Sequence, residues 1–232
     1  MKKFIISSLL LSLIFSNAQA SNTNNNEKFY IGGEAGLTNI SEKSKDYVEN
    51  IENIQSINTK IDKKIYDLRI FGGYNFNKHI NIELGVSETS KRNASSDFDL
   101  NIPTRDIFNR PINVSGKGTV KSSLSHLVLD YSLLIRPFEE KYLNNLFLRV
   151  GGIYYKAKYS DNTSIKTYGT NYSYSSSSSS VYSGTGFALG FGYDINLTDS
   201  VNARISFTHI KTQSGDYAEN WNRLSVGVVK NF

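Results

Sequence analysis

From residue 28 onward the sequence alternates apolar and polar side chains with a period of two, in eight separate segments near residues 28–38, 65–76, 79–89, 122–136, 145–157, 182–195, 200–211 and 221–232. That period belongs to β-strands, whose successive side chains point to opposite faces. One face carries Phe29, Ile31 and Leu37, then Leu68 and Ile70, Ile82 and Leu84, Leu129 and Leu133, Leu148 and Val150, Leu189, Ile205, Leu224 and Val226. The opposite face carries Gly36, Gly85, Ser132, Gly190, Ser206 and Gly227 among charged residues. Each segment is about as long as a tilted membrane-spanning strand, roughly 9–11 residues with extensions into water.

A half-exposed soluble sheet would alternate in the same way, so three further features decide. The polar face is rich in glycine, serine and arginine and poor in lysine, as an enclosed narrow lumen requires. Aromatic residues gather at the segment ends, as in the two girdles of a membrane barrel. Phe29, Tyr74, Phe76, Tyr142, Phe191, Tyr193 and Phe232 are assigned to one end, and Tyr66, Tyr154, Tyr182, Phe207 and Trp221 to the other. Of these, Phe29, Tyr66, Tyr74, Tyr154, Tyr193, Phe207, Trp221 and Phe232 are the expected membrane-interface set, although Tyr182 and Trp221 fall off strict alternation. Connections also alternate in length: Asn77-Lys78, Pro137 to Asn144 and Asn196 to Asp199 are short, whereas 39–64, 90–121, 158–181 and 212–220 are mostly long and polar. The expected fold is all-β, an eight-stranded antiparallel up-and-down transmembrane β-barrel with both ends of the chain on the short-turn side. A sheet in hydrocarbon must close on itself, because every backbone N–H and C=O needs a partner within the protein.

Composition agrees with an exported chain. Lys2 and Lys3 precede an apolar stretch from Phe4 to Phe15 and a small-x-small site at Ala18-Gln19-Ala20, so residues 1–20 read as a signal peptide cleaved after Ala20. Residues 21–27 read as a disordered leader and 28–232 as the barrel with four long external loops. Losing the two leader lysines lowers the formal net charge from +5 to +3, too small an excess for a nucleic-acid partner. Among 232 residues there is no cysteine, which removes disulfides, thiolate metal sites and cysteine nucleophiles. The expected location is the bacterial outer membrane.

Four segments carry a resemblance: Phe29-Tyr30-Ile31-Gly32-Gly33-Glu34-Ala35-Gly36, Arg69-Ile70-Phe71-Gly72-Gly73-Tyr74, Phe187-Ala188-Leu189-Gly190-Phe191-Gly192-Tyr193, and a last strand ending in Phe232. With the signal peptide, they make the chain resemble the small Gram-negative outer-membrane barrels that include the OmpA transmembrane domain and porin-like surface antigens. The resemblance implies that the terminal aromatic is read by the barrel-assembly machinery. It implies no tethering of the cell wall, since the OmpA peptidoglycan-binding domain has no counterpart in the sequence.

The inward face is expected to hold a charge network of Glu34, Asp67, Glu83, Asp130 and Asp194 with Arg69, Arg136, Arg149, Arg204 and Arg223. Five acids balance five guanidiniums, whose planar fork suits carboxylates, and an unpaired buried charge would cost several kcal/mol. The set reads as a structural plug, or as a small pore whose ion pairs rearrange. Catalysis is not expected. His126 and Asp130 share a face but lie roughly 13 Å apart along a strand, so they form no direct dyad, and Ser122, Ser123 and Ser125 are only loose neighbours of His126. Gly184, Gly186, Gly190 and Gly192 follow strand spacing, not that of a nucleotide loop. No cofactor or metal is expected.

Outside the segments, Val48, Ile51, Ile54, Ile57 and Ile61 recur at near-helical intervals, either as a short helix capping the mouth or as strands extended beyond the membrane. Tyr172-Ser173-Tyr174 and Ser175 to Ser180 read as a mobile low-complexity loop offering an adaptable contact surface. Lys43, Lys45, Lys63, Lys64, Lys91 and Lys158 are placed to meet lipopolysaccharide headgroups. The expected role is structural and interactive: envelope integrity, surface antigen, adhesion to a host or matrix molecule through the loops. A narrow diffusion channel is the alternative, and an outer-membrane enzyme ranks last.

Overall fold

The computed structural model describes residues 28–41, 54–62, 64–105, 108–140, 143–168, 173–213 and 220–232. Residues 1–20 and 21–27, expected as a signal peptide and a leader, fall outside the described residues, as do Tyr142 and Tyr172. Among the described residues, ten strands follow in chain order: β1 (Phe29–Ser41), β2 (Ile54–Ile61), β3 (Lys64–Asn75), β4 (Ile80–Thr89), β5 (Arg92–Arg105), β6 (Pro111–Ile135), β7 (Leu146–Thr167), β8 (Ser173–Asn196), β9 (Val201–Gln213) and β10 (Asn220–Asn231). Eight of them, β1, β3, β4, β6, β7, β8, β9 and β10, close into an antiparallel ring through the β6–β7 pairing.

The ring's stagger can be read from its partners. Starting at Thr38, one row runs through Arg223, Thr208, Gly190, Arg149, Leu134, Asn81 and Asn75. It returns to β1 at Lys28, whose carbonyl accepts the Asn75 N–H, ten residues below its start. A shear of that size over eight strands tilts them by roughly 40° from the barrel axis. Leu68, Leu84, Leu129, Leu189, Leu224 and Val226 lie exposed on the outside of the ring, while Glu34, Arg69, Glu83, Arg149, Asp194 and Arg204 are buried inside it. A continuous apolar exterior around a charged interior inverts the arrangement of a soluble protein, and only lipid can solvate it.

Three of the connections expected as long loops, 39–64, 90–121 and 158–181, contain strand. β5 pairs with the far half of β6, and β2 pairs with β5. Above the ring, β2, β5, β6, β7 and β8 therefore continue as a five-stranded sheet. The run from Ser173 to Ser180, assigned to a mobile loop, pairs residue for residue with Tyr159 to Lys166 of β7. Both faces of this stretch are exposed, so serine serves each face and the alternation that marks a half-buried strand disappears. Of the two readings for 44–64, strand extension holds over Ile54–Ile61; residues 42–53 lie outside the described residues.

Candidate functional site

The site is the lumen, and the strand register builds it. Glu34 of β1, Arg69 of β3, Glu83 of β4, Asp130 of β6, Arg149 of β7 and Arg204 of β9 come from six different strands, yet all project to one level of the interior. Glu83 sits at the centre. Its carboxylate meets the guanidinium nitrogens of Arg69 at 2.7 Å, Arg149 at 2.8 Å and Arg204 at 2.7 Å, and the Tyr30 hydroxyl donates to it at 3.3 Å. Arg69 grips Asp130 through two nitrogens, at 2.9 and 2.6 Å, and Arg204 grips Asp194 in the same forked way at 2.7 and 3.1 Å. Arg136 reaches Asp194 at 2.7 Å from β6's end. Arg223 pairs with Asp67 at 2.6 Å, and the Thr38 hydroxyl donates to the other Asp67 oxygen at 2.7 Å. Glu34 joins the two halves more loosely, 3.4 Å from Arg69, 3.7 Å from Arg149 and 3.8 Å from Arg223. All ten residues assigned to the charge network thus form one connected cluster of zero formal charge.

Removing such charges from water costs several kcal/mol each, and only dense pairing offsets it. Sharing one carboxylate among three guanidiniums is tolerable because each guanidinium also holds a second acceptor. Flat rings help. The Arg204 guanidinium carbon lies 4.8 Å from the Phe147 ring centroid and 5.1 Å from that of Phe71, both inward-facing. Neither ring, nor the Tyr30 hydroxyl, was singled out among the candidate residues, although their alternation placed them indoors.

A second, apolar layer lies on the long-hairpin side of the network. Ile40, Ile65, Leu124, Val128, Ile153, Tyr155, Ala157, Ala188, Ile210 and Trp221 form a buried cluster across the bore. Trp221 is only 2% exposed, and its ring lies 4.6 Å from His126 and 5.8 Å from Tyr155. Its assignment to the membrane interface is therefore corrected: Trp221 shares the inward parity of Arg223 and Ser225, and its register partners are Ile40 and Ile210. Where network and apolar layer meet, a cavity of about 30 Å³ remains, bounded by Arg69, Asp130, Thr208 and Trp221 among others. That is room for one or two waters.

The other interface aromatics lie outside the ring. Phe29, Tyr66, Tyr154 and Phe232 are exposed, and Tyr74 packs edge-on between Phe29 and Phe76 at 5.0 Å from each. Tyr193, partly covered, pairs with Ile205. One assignment to opposite rims fails. Phe207 and Phe191 are direct partners across β8 and β9, with ring centroids 5.6 Å apart, so they occupy one level. As partners in one hairpin they stand equally far from the short turn that joins β8 and β9, so counting outward from that turn places them together. Arg92 escapes sequence reading for a different reason. Between β4 and β5 the register against β6 slips by one residue, which turns even-numbered positions inward and buries Arg92, whose Nε donates to the Asp62 carbonyl at 3.1 Å. Ser125 faces away from His126, and the Ser122 hydroxyl accepts from Tyr159 at 3.3 Å.

A family model described as outer membrane protein beta-barrel domain matches residues 7–232. The chain belongs to that family. As a member of the outer-membrane barrel family it resides in the bacterial outer membrane. Solved structures with a similar chain path include the crystal structure of Ail, the attachment invasion locus protein of Yersinia pestis. It is 11% identical with a TM-score of 0.46, over 89% of this chain and 99% of that one. Neisserial surface protein A is 15% identical with a TM-score of 0.34, over 88% and 97%. The N-terminal β-barrel domain of Pseudomonas aeruginosa OprF is 13% identical with a TM-score of 0.29, over 88% and 97%. Among curated proteins, none matches the sequence significantly.

Proposed function

We propose that this outer-membrane barrel works as a surface-interaction protein with a closed lumen, contributing to envelope integrity, acting as a surface antigen and adhering to a host or matrix molecule, and that it carries no enzymatic activity. The observation that carries the reading is the contrast between its two ends. Inside the membrane the bore is crossed by a neutral ion network and an apolar layer. Outside it, β5 to β8 rise as a paired sheet whose serine, threonine, asparagine and lysine side chains are presented on both faces. A rigid scaffold holding polar, adaptable groups clear of the bilayer suits contact with another surface. Exposed lysines such as Lys91 and Lys158 favour lipopolysaccharide as the lateral neighbour.

Shortening the β7–β8 hairpin in register, by deleting 161–178 and joining Ser160 to Ser179, tests this. Cells displaying the full chain should bind immobilised matrix proteins, and the shortened chain should lose that binding while keeping its heat-modifiable gel mobility. Unchanged binding by the shortened chain would refute an adhesive role for the sheet.

A further inference from the structure

The periplasmic mouth of the barrel opens into a vestibule of about 610 Å³, within the usual size range of small-ligand pockets. Its wall is unusual in chemistry. Asn75, Asn81, Asn145, Asn202 and Asn231 line it, supplied by the periplasmic ends of five different strands or the residue beside them. Asparagine is common in turns because its side chain caps backbone N–H groups, and Asn77 does that here, its carboxamide oxygen accepting from the His79 and Ile80 amides at 2.8 and 2.9 Å. Asn81 does not. It lies inside β4, where asparagine is disfavoured, and is 2% exposed. Its carboxamide oxygen has no hydrogen-bond partner among the described residues. A buried acceptor left unpaired is destabilising, so the position is unfavourable unless something else supplies a donor.

Apart from Lys28, the charges lining the vestibule are engaged with one another. Arg136 pairs with Asp194 at 2.7 Å, and Glu139 meets Lys78 at 2.7 Å and His79 at 3.1 Å. Selection must therefore come from hydrogen bonding more than from net charge. Each carboxamide offers one acceptor and two donors, which matches ligands whose groups both donate and accept, such as sugar hydroxyls and acetamides. Two exposed rings, Phe76 and Phe138, flank the opening and offer flat apolar faces for the C–H side of a pyranose.

We propose that this vestibule is a binding site for an N-acetylated oligosaccharide entering from the periplasm, with Asn81 as its deepest hydrogen-bonding group. The site faces away from the surface sheet and does not depend on the adhesive reading. The test is titration of the full chain, folded in lipid nanodiscs, with the N-acetylglucosamine tetramer, following the asparagine side-chain amide signals by NMR. Saturable shifts confined to the vestibule amides are expected. Asn81→Leu and Asn231→Ala should each weaken binding about tenfold, and the unacetylated glucose tetramer should bind about tenfold more weakly than the acetylated one. Should Asn81→Leu lose its heat-modifiable mobility, Asn231→Ala and Asn202→Ala decide the matter from the rim. No saturable shift, equal binding of the two tetramers, or full binding by the rim variants would overturn the proposal.

Discussion

Replacing Glu83 by glutamine keeps the size and shape of the side chain and removes one charge from the centre of the lumen. Three guanidinium nitrogens, from Arg69, Arg149 and Arg204, lie 2.7–2.8 Å from this carboxylate. At an effective dielectric of 20, two unit charges 4 Å apart interact by about 4 kcal/mol, so three such attractions would fall away together. Relaxation and water entry recover part of this. Breaking a buried pair by removing one partner typically costs 3–5 kcal/mol, because the charge left behind is uncompensated. We expect Glu83→Gln to lower folding stability by about 3–5 kcal/mol, measured by reversible urea unfolding of the barrel in lipid vesicles. The double variant Glu83→Gln with Arg204→Met restores zero formal charge and should recover at least 1 kcal/mol relative to the sum of the single changes, about the size expected of coupled neighbours. A loss below about 0.5 kcal/mol for Glu83→Gln, the usual size for an uninvolved surface position, would refute the claim that Glu83 holds the network together. Additive effects in the double variant would do the same.

Trp221 is the only tryptophan, so its fluorescence reports its position without ambiguity. Buried against His126 and Tyr155, it should be barely quenched by brominated lipid acyl chains, and strong quenching at shallow bromine positions would return it to the membrane interface. A methyl group at Gly227 would collide with the Gly33 carbonyl oxygen and approach the Glu34 Cγ at 2.7 Å. Gly227→Ala should therefore cost about 1–3 kcal/mol in the same unfolding assay, whereas an unchanged midpoint would mean that β1 and β10 have slack at this level. Where the β3–β4 and β6–β7 turns meet, the hydrogen bond and charge of Lys78, followed by those of His79, hold the Glu139 carboxyl below the usual carboxylate range. With a folded value below the unfolded one, its contribution is present above the ordinary carboxylate pKa and fades as pH falls through the folded value. A carbon-detected NMR titration should show a depressed midpoint that rises in Lys78→Ala; an ordinary midpoint in the unmodified chain would contradict the turn geometry.

Much of the barrel is legible in the sequence because lipid enforces a simple rule. Where one face meets hydrocarbon and the other a narrow lumen, alternation is strong, and residues such as Glu34, Arg69, Leu68 and Leu224 declare their sides. Legibility ends where that rule stops applying. Above the bilayer both faces of β8 meet water, so Ser173 to Ser180 gives no alternating signal and looks like a loop. The one-residue slip between β4 and β5 reverses parity, which hides Arg92. The hairpin register about the short turn after Asn196 places Phe191 opposite Phe207, a relation visible only when the two strands are counted outward from their shared turn. The apolar layer around Trp221 is hidden for another reason: Val128 and Ile153 have apolar neighbours, so inward and outward positions look alike there. The charge network escaped these difficulties, since an inward Arg or Asp in a membrane strand has nowhere else to find a partner.

The central claim is that ion network and apolar layer together close the bore to ions. Single-channel recording in planar lipid bilayers, with insertion of the folded barrel verified by its heat-modifiable gel mobility, tests it directly. The account predicts a flat current trace at all applied voltages. Discrete, reproducible conductance steps from the unmodified protein would contradict it.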